Sequence, residues 1–235
     1  MSDPMADVGV VLAAAGSGTR FGTRKQYLEI GGRPLIHASL DVFAQVKAVV
    51  EAVVVCPPSD RQVVTDLVAE WSFPARPKAL PVRVVGGGER RQDSVLRGIE
   101  ACGEAIVWVL VHDVARPLVE VEHVDEVVRA MRSHGAAVLG IPCHDSVKRV
   151  REGRIVEELP REEVWTVQTP QGGRCDVLRE AYSASSAQDW TDEASALRHR
   201  GVTVALVEGS PDNIKITRPG DEARAARILA ARNGR

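Results

Sequence analysis

Apolar and polar positions follow two rhythms along this chain, and the switches between them divide it into elements. Short runs of aliphatic and β-branched residues recur at Val8–Leu12, Ala52–Cys56, Val82–Val85, Ile106–Val111, Ala136–Ile141 and Val202–Val207. Each is too short for a helix and reads as a strand, and Val8–Leu12 and Ala52–Cys56 have the unbroken apolar pattern of strands buried in a parallel sheet. Between them the apolar residues return every three or four positions. Pro34–Val46 carries Leu35, Ile36, Leu40 and Phe43, the segment after Ser59 carries Val63, Val64, Leu67, Val68 and Trp71, and Val121–His134 carries Val124, Val127, Val128 and Met131. Each stripe predicts a helix with one face on a core, and Ser59 reads as an N-cap. Ser94 opens a further helix to Ala101, with Leu96 and Ile99 inward. The segment Ser72–Pro81, rich in proline and without a period, reads as a loop. This alternation predicts an α/β fold, a Rossmann-like and mostly parallel twisted sheet with helices on both faces.

The rhythm changes at Cys143. Residues 143–167 hold two short β-type segments around Arg151-Glu152-Gly153-Arg154 and are charged rather than core-like, which predicts a projecting β-hairpin arm. Val147, Val150, Ile155, Val156 and Leu159 on that arm need cover, and a second copy of the chain is the simplest source, so a homodimer through 143–167 is expected. Trp165–Gln171 then reads as extended, and a helix carries Val177, Leu178 and Tyr182. Thr191 reads as the cap of the next helix, with a ligand contact as the alternative. Ile214-Lys215-Ile216 reads as a short strand whose lysine faces away from its isoleucine neighbours and needs a charged partner. A last helix covers Asp221–Ala231. No Pro/Ser-rich linker interrupts the chain, so one domain over 1–235 is expected.

Composition narrows the class. The 235 residues carry a formal charge of −2, which leaves no electrostatic footprint for nucleic acid or an anionic membrane. No apolar run approaches the roughly 20 residues of a membrane span, and the first residues lack the basic region of a secretory signal. A cytoplasmic protein is expected. Cys56, Cys102, Cys143 and Cys175 lie far apart without a C-x-x-C pair, the usage of free thiols in a reducing compartment. His112 stands beside an aspartate, but nothing nearby supplies a nucleophile for it to activate, and it reads as structural.

Three loops carry the candidate chemistry. After the first strand come Ala13, Ala14, Ala15, Gly16, Ser17 and Gly18, too small to keep phosphates from the backbone N–H groups. Arg20, Arg24 and Lys25 follow, with no acidic residue from Ala13 to Lys25, and that local cationic excess suits a polyphosphate. Phe21 stands where a dinucleotide fingerprint needs glycine, and no Gly-Lys-Ser/Thr makes a P-loop. The second loop, Gly86-Gly87-Gly88 leading to Ser94, admits a flat ligand such as a nucleobase, or is an ordinary turn with a serine cap. The third, His112-Asp113-Val114-Ala115-Arg116-Pro117, follows a strand end, where open α/β sheets place ligand contacts. There Asp113 can hold Mg²⁺ or a sugar hydroxyl, and Arg116 can pair with a phosphate or, as a purely structural bridge, with Asp113.

The wording of these loops resembles the 2-C-methyl-D-erythritol 4-phosphate cytidylyltransferase family. The resemblance runs from about Val8 to Leu229. It rests on Ala13-Ala14-Ala15-Gly16 with Arg20 and Lys25-Gln26-Tyr27, on Gly87-Gly88 with Arg91-Gln92-Asp93-Ser94-Val95, and on Val111-His112-Asp113 with Ala115-Arg116-Pro117. Further on it rests on Asp145-Ser146-Val147-Lys148, Thr169-Pro170-Gln171, Thr191-Asp192-Glu193-Ala194 and Asp212-Asn213-Ile214-Lys215-Ile216-Thr217. Ser146 stands where the family often has threonine, and Gly-Thr-Arg precedes Lys25 where a proline is common. The resemblance implies transfer of CMP from CTP to 2-C-methyl-D-erythritol 4-phosphate with release of pyrophosphate, in non-mevalonate isoprenoid synthesis. It implies Arg20 and Lys25 as transition-state stabilisers, Ala14, Ala15, Gly16, Gly88 and Ser94 at the nucleotide, and Mg²⁺ held mainly by the CTP phosphates. The acceptor phosphate falls to Lys215 and to Arg161 from a partner's arm, with Asp113, Arg116, Ser146, Thr169 and Thr191 nearby. Alternatives are a cytidylyltransferase for another polyol phosphate such as ribitol 5-phosphate, a nucleotide-sugar glycosyltransferase, for which no clear Asp-x-Asp is present, and a silent nucleotide-binding regulator. A chain stopping at Arg235 is expected to lack a fused cyclodiphosphate synthase.

Overall fold

The computed structural model describes residues 6–16, 28–72, 80–184 and 189–234. Along the chain run β1 (Val8–Ala13), the short β2 (Glu29–Ile30) and β3 (Arg33–Pro34), α1 (Leu35–Gln45), β4 (Val49–Cys56), α2 (Arg61–Ala69), β5 (Val82–Gly86), α3 (Arg91–Glu100) and β6 (Trp108–Asp113). There follow α4 (Val121–His134), β7 (Ala136–Pro142), β8 (Val147–Arg151), β9 (Arg154–Leu159), β10 (Trp165–Arg174), α5 (Cys175–Ser183), α6 (Glu193–His199), β11 (Val204–Glu208) and α7 (Asp221–Asn233). A seven-stranded sheet has the order β11-β7-β10-β6-β1-β4-β5. Its neighbours are parallel except where β10 runs antiparallel to both β6 and β7.

The apolar runs of β1, β4, β6 and β7 follow from burial on both faces, whereas β5 and β11, at the two edges of the sheet, are only partly buried, with Leu206 43% exposed. Successive side chains of a strand point to opposite sides, so Val10 and Leu12 join Val54, Leu35, Phe43 and Met131 in one core, while Val11 joins Val53, Val95, Ile99 and Leu178 in the other. On that second side α3 comes very close to the sheet. A Cβ on Gly98 would sit 2.5 Å from a Val11 methyl and 2.9 Å from Val55, so the glycine is what lets the helix lie flat on β1. The helix α4 spans the residues its period predicts and ends on Gly135 at φ +93°, a left-handed cap that favours glycine.

Several elements differ from expectation for local reasons. Pro57-Pro58 leads into a 3-10 turn over Pro58–Asp60, so α2 starts at Arg61 and Ser59 is not its cap; the Ser59 hydroxyl instead donates to Asp60 at 2.8 Å. Val63 points outward at 55% exposure, and Val64 alone of the predicted stripe is fully buried. Helix α3 begins at Arg91 rather than Ser94, because the Asp93 carboxylate accepts the Arg90 N–H at 3.1 Å and secures an earlier first turn. Asp192, not Thr191, caps α6, accepting from Ser195 N–H at 2.8 Å. Ile214–Ile216 forms no strand.

The hairpin lies within residues 143–167 as read, with β8 and β9 pairing to each other in a small separate sheet. Its turn is Glu152-Gly153, both at positive φ, the conformation that matches strand twist in a tight hairpin. Val150, Ile155 and Val156 are all more than half exposed. The segment closing the arm is shorter than expected, because β10 begins at Trp165 and Trp165–Val167 pair with β7 in the central sheet.

Candidate active site

The chain runs β1-α1-β4-α2-β5 to one side and returns through α3 to β6 on the other side of β1, so the strand order reverses between β1 and β6. Ligands of open α/β sheets bind in the crevice outside the carboxyl ends at such a point. A cavity of about 360 Å³ opens there, walled by Ala13–Gly16 after β1, by Gly88–Arg91 and Ser94 after β5, by Asp113–Ala115 at the end of β6, and by Lys215. The parallel register sets Ala13 directly beside Asp113.

The two glycine loops are built for close approach. Among the described residues nothing lies within 4 Å of where a Gly16 side chain would begin, whereas a Cβ on Gly87 would meet the Ser94 hydroxyl at 2.7 Å and the Ala15 methyl at 2.8 Å. Small residues thus let the β1 and β5 loops close on each other. Ser94, nearly buried, uses its hydroxyl to accept the Gly88 N–H at 3.0 Å and to donate to the Arg90 carbonyl at 3.2 Å. It holds the glycine turn in shape from inside the first turn of α3.

Across the cavity Asp113 faces cations. Lys215 Nζ lies 2.5 Å from Oδ2 and Arg91 Nη2 lies 3.6 Å from Oδ1. Burial alone would raise the Asp113 pKa, but Lys215 and Arg91 outweigh it and hold the carboxyl below its usual range. Lys215 has the charged partner its sequence context asked for. Arg116 makes no direct ion pair with the Asp113 carboxylate; its guanidinium donates to the Asn213 carbonyl at 2.8 Å and so braces the loop that carries Lys215.

A one-way chain of hydrogen bonds backs this wall. Asp113 N–H donates to Thr169 Oγ1 at 3.1 Å, Thr169 lies 3.1 Å from His112 Nδ1, and His112 Nε2 lies 3.1 Å from the Arg116 carbonyl. A carbonyl only accepts, so Nε2 carries the proton and Nδ1 accepts from the threonine. Burial pushes the His112 pKa down to about 4. An unfolded imidazole titrates near 6.5, so the stability tied to neutral His112 is complete above that pH and is lost as pH falls toward 4, on the order of 3 kcal/mol in all. Urea unfolding at pH 7 and pH 4.5 should show this loss in the wild type and a flatter dependence in His112→Gln. Equal pH dependence would mean that His112 titrates normally.

Of the residues read from sequence, Ala14, Ala15, Gly16, Gly88, Ser94, Asp113 and Lys215 converge on the one cavity. Thr169 and Arg116 sit behind it, in the contacts just given. Thr191 is exposed ahead of α6, its hydroxyl 3.3 Å from Ser195. Ser146 and Arg161 are exposed at the base of the arm, where Arg161 donates to the His144 carbonyl at 3.3 Å, and they do not wall the cavity of their own chain. Arg20 and Lys25 lie outside the described residues. Sequence reading assigned no role to Arg91 or to Glu193, whose carboxylate Arg91 grips at 2.7 Å and 3.1 Å. Both stand in the quoted loop wording, but a pair so distant in sequence leaves no spacing signal.

Among the described residues no three His, Cys, Asp or Glu side chains gather as a metal cage. The cavity offers Asp113, already engaged by two cations, with Glu89 on the opposite loop. That donor set fits a magnesium ion whose other ligands are phosphate oxygens rather than protein groups. No helix among the described residues is long and apolar enough to cross a membrane.

Glycine-bearing loops at the ends of β1 and β5, facing an aspartate–lysine pair across the switch point, make a Rossmann-like crevice of the kind in which open α/β sheets take ligands. The family model for 2-C-methyl-D-erythritol 4-phosphate cytidylyltransferase matches residues 8–231. A protein of that name from Chromobacterium violaceum is 42% identical, the match covering 95% of this chain and 98% of the relative. The bifunctional enzyme IspD/IspF of Solidesulfovibrio magneticus is 42% identical over 94% of this chain, which spans 56% of that longer protein. The crystal structure of 2-C-methyl-D-erythritol 4-phosphate cytidylyltransferase from Thermus thermophilus superposes with a TM-score of 0.75 at 34% identity, covering 95% of this chain and 99% of the other. The chain belongs to the 2-C-methyl-D-erythritol 4-phosphate cytidylyltransferase family, a family of nucleotidyltransferases.

Proposed function

We propose that this chain transfers the cytidylyl group of CTP to 2-C-methyl-D-erythritol 4-phosphate, releasing pyrophosphate, as a step of non-mevalonate isoprenoid synthesis in the cytoplasm. The observation that carries this reading is the cavity in which the two glycine loops meet the Asp113–Lys215 pair. A phosphate oxygen of the acceptor attacks the α-phosphorus of CTP, an O–P bond forms, and the bond to the β-phosphate's bridging oxygen breaks. The attacking oxygen is already anionic and needs no general base, in keeping with a His112 shut away in its own hydrogen bonds.

The chain's task is then to hold two mutually repelling anions in line and to neutralise the charge that builds between them. The backbone of Ala14–Gly16 and the Gly88–Ser94 turn receive the nucleotide, with Arg20 and Lys25 at its phosphates. Lys215, 43% exposed, is free to turn from Asp113 toward a phosphate. Magnesium would be held mainly by the triphosphate's own oxygens and would supply further neutralisation there, with Asp113, on the acceptor's side of the cavity, as the carboxylate that could also hold it. The exposed apolar residues of the arm support a homodimer in which Arg161 and Ser146 of one chain complete the acceptor site of the other.

Pyrophosphate release tests the reading. Turnover is expected with CTP, Mg²⁺ and 2-C-methyl-D-erythritol 4-phosphate. Release with ribitol 5-phosphate but not with the erythritol phosphate would move the assignment to another polyol, and release with neither would overturn it.

A further inference from the structure

A row of alternating charge leads from the cavity into the core. Glu193, the first residue of α6, is fully buried. It accepts from Arg91 Nη1 at 2.7 Å, from Arg91 Nη2 at 3.1 Å and from the Tyr182 hydroxyl at 3.0 Å. Arg91, the first residue of α3, turns the same Nη2 toward Asp113, 3.6 Å away, and the other oxygen of Asp113 holds Lys215 at 2.5 Å. Glu193, Arg91, Asp113 and Lys215 thus alternate in sign across four separate segments of the chain.

A buried ion pair is a poor device for stability, because desolvation offsets most of the attraction and well-packed apolar residues do as well. What the Glu193 fork does is fix a guanidinium in place. The consequence falls on Asp113. If a substrate phosphate draws Lys215 away, a carboxylate with only 12% of its side chain exposed is left facing the cost of an uncompensated buried charge, which would pull the lysine back. Arg91 stands at the opposite oxygen, close enough to take that charge over with a small shift.

We propose that Glu193 is a positioning residue, clamping Arg91 so that Asp113 keeps a cationic partner when the acceptor's phosphate recruits Lys215. This rests on the reading of the cavity as a cytidylyl-transfer site and deepens it. Asp113 and Lys215 serve the acceptor, whereas the Gly88–Ser94 turn keeps its own hydrogen bonds without Glu193, so the effect should fall on one substrate.

Wild-type pyrophosphate release is measured first and tests the functional reading alone. In Glu193→Gln, which retains size but not charge, the acceptor KM is expected to rise between ~10-fold and ~100-fold, the range that misplacement of a positioning group produces. The CTP Kd from calorimetry should stay within about twofold. A folded variant with unaltered acceptor KM, or with both substrates weakened equally, would overturn the proposal. If Glu193→Gln does not fold, Arg91→Met with Glu193→Leu removes both charges together, an exchange buried pairs tolerate, and the same two outcomes decide. Should the wild type be inactive, calorimetry with inorganic phosphate decides instead: weaker binding in the variant supports the clamp, and equal binding overturns it.

Discussion

Lys215→Met is expected to lower turnover by on the order of 10²–10³, the cost of deleting one group that neutralises developing charge, while the melting temperature stays near that of the wild type. The separation follows from how the lysine is held. Its neighbours Asn213 and Ile216 are fully buried. Asn213 Nδ2 donates to the Thr169 carbonyl at 3.1 Å, and Ile216 N–H donates to the Ala115 carbonyl at 2.8 Å. Those bonds pin the loop on both sides of position 215 without using the ammonium group. Methionine retains most of the aliphatic stem, and Asp113 keeps Arg91 as a partner. Steady-state pyrophosphate release and a thermal melt check both halves. Turnover within tenfold of wild type would show that Lys215 does not meet the reacting phosphates.

Two inactive variants should restore each other if the site is shared across a dimer. Lys25→Ala and Arg161→Ala each remove one cation, and each homodimer then lacks it in both sites. In a mixed dimer one site has lost both cations and the other has both, since each chain supplies what the other lacks. Half of randomly re-associated dimers are mixed, so about a quarter of wild-type activity should return. Mixing after mild unfolding and refolding, followed by the release assay, measures it. Mixed dimers without activity would place Arg161 outside the site.

The sequence pattern disclosed the architecture well where periodicity was the cause. Helix α4 and its inward set Val124, Val127, Val128 and Met131 emerged residue for residue, because one face of that helix meets the sheet along its whole length. It misled where local hydrogen bonding competes with period. Ser59 looks like a cap but sits inside a turn forced by Pro57-Pro58, and Ser94 looks like a helix start although Asp93 has already begun the helix. The candidate site was legible as loops, since Gly16, Gly88, Ser94 and Asp113 follow or end strands of one sheet or begin the helix after one. The pairing of Arg91 with Glu193 was not, because it joins segments 102 residues apart whose meeting depends on the whole sheet. Arg116 shows the converse: its guanidinium goes to the Asn213 carbonyl rather than to the carboxylate of its sequence neighbour Asp113.

Strand β10 arrives late in synthesis yet occupies the middle of the sheet, wedged between β6 and β7. Until residues 165–174 leave the ribosome, the nascent chain carries two raw edges with unmet backbone N–H and C=O groups, each a template for pairing with a neighbouring chain. Strands β1, β4, β5 and β6 can assemble as a half-sheet beforehand, whereas β7 has no place beside them until this insertion is made. The arm precedes that strand directly, so the ribosome must release it before the last gap in the sheet can close.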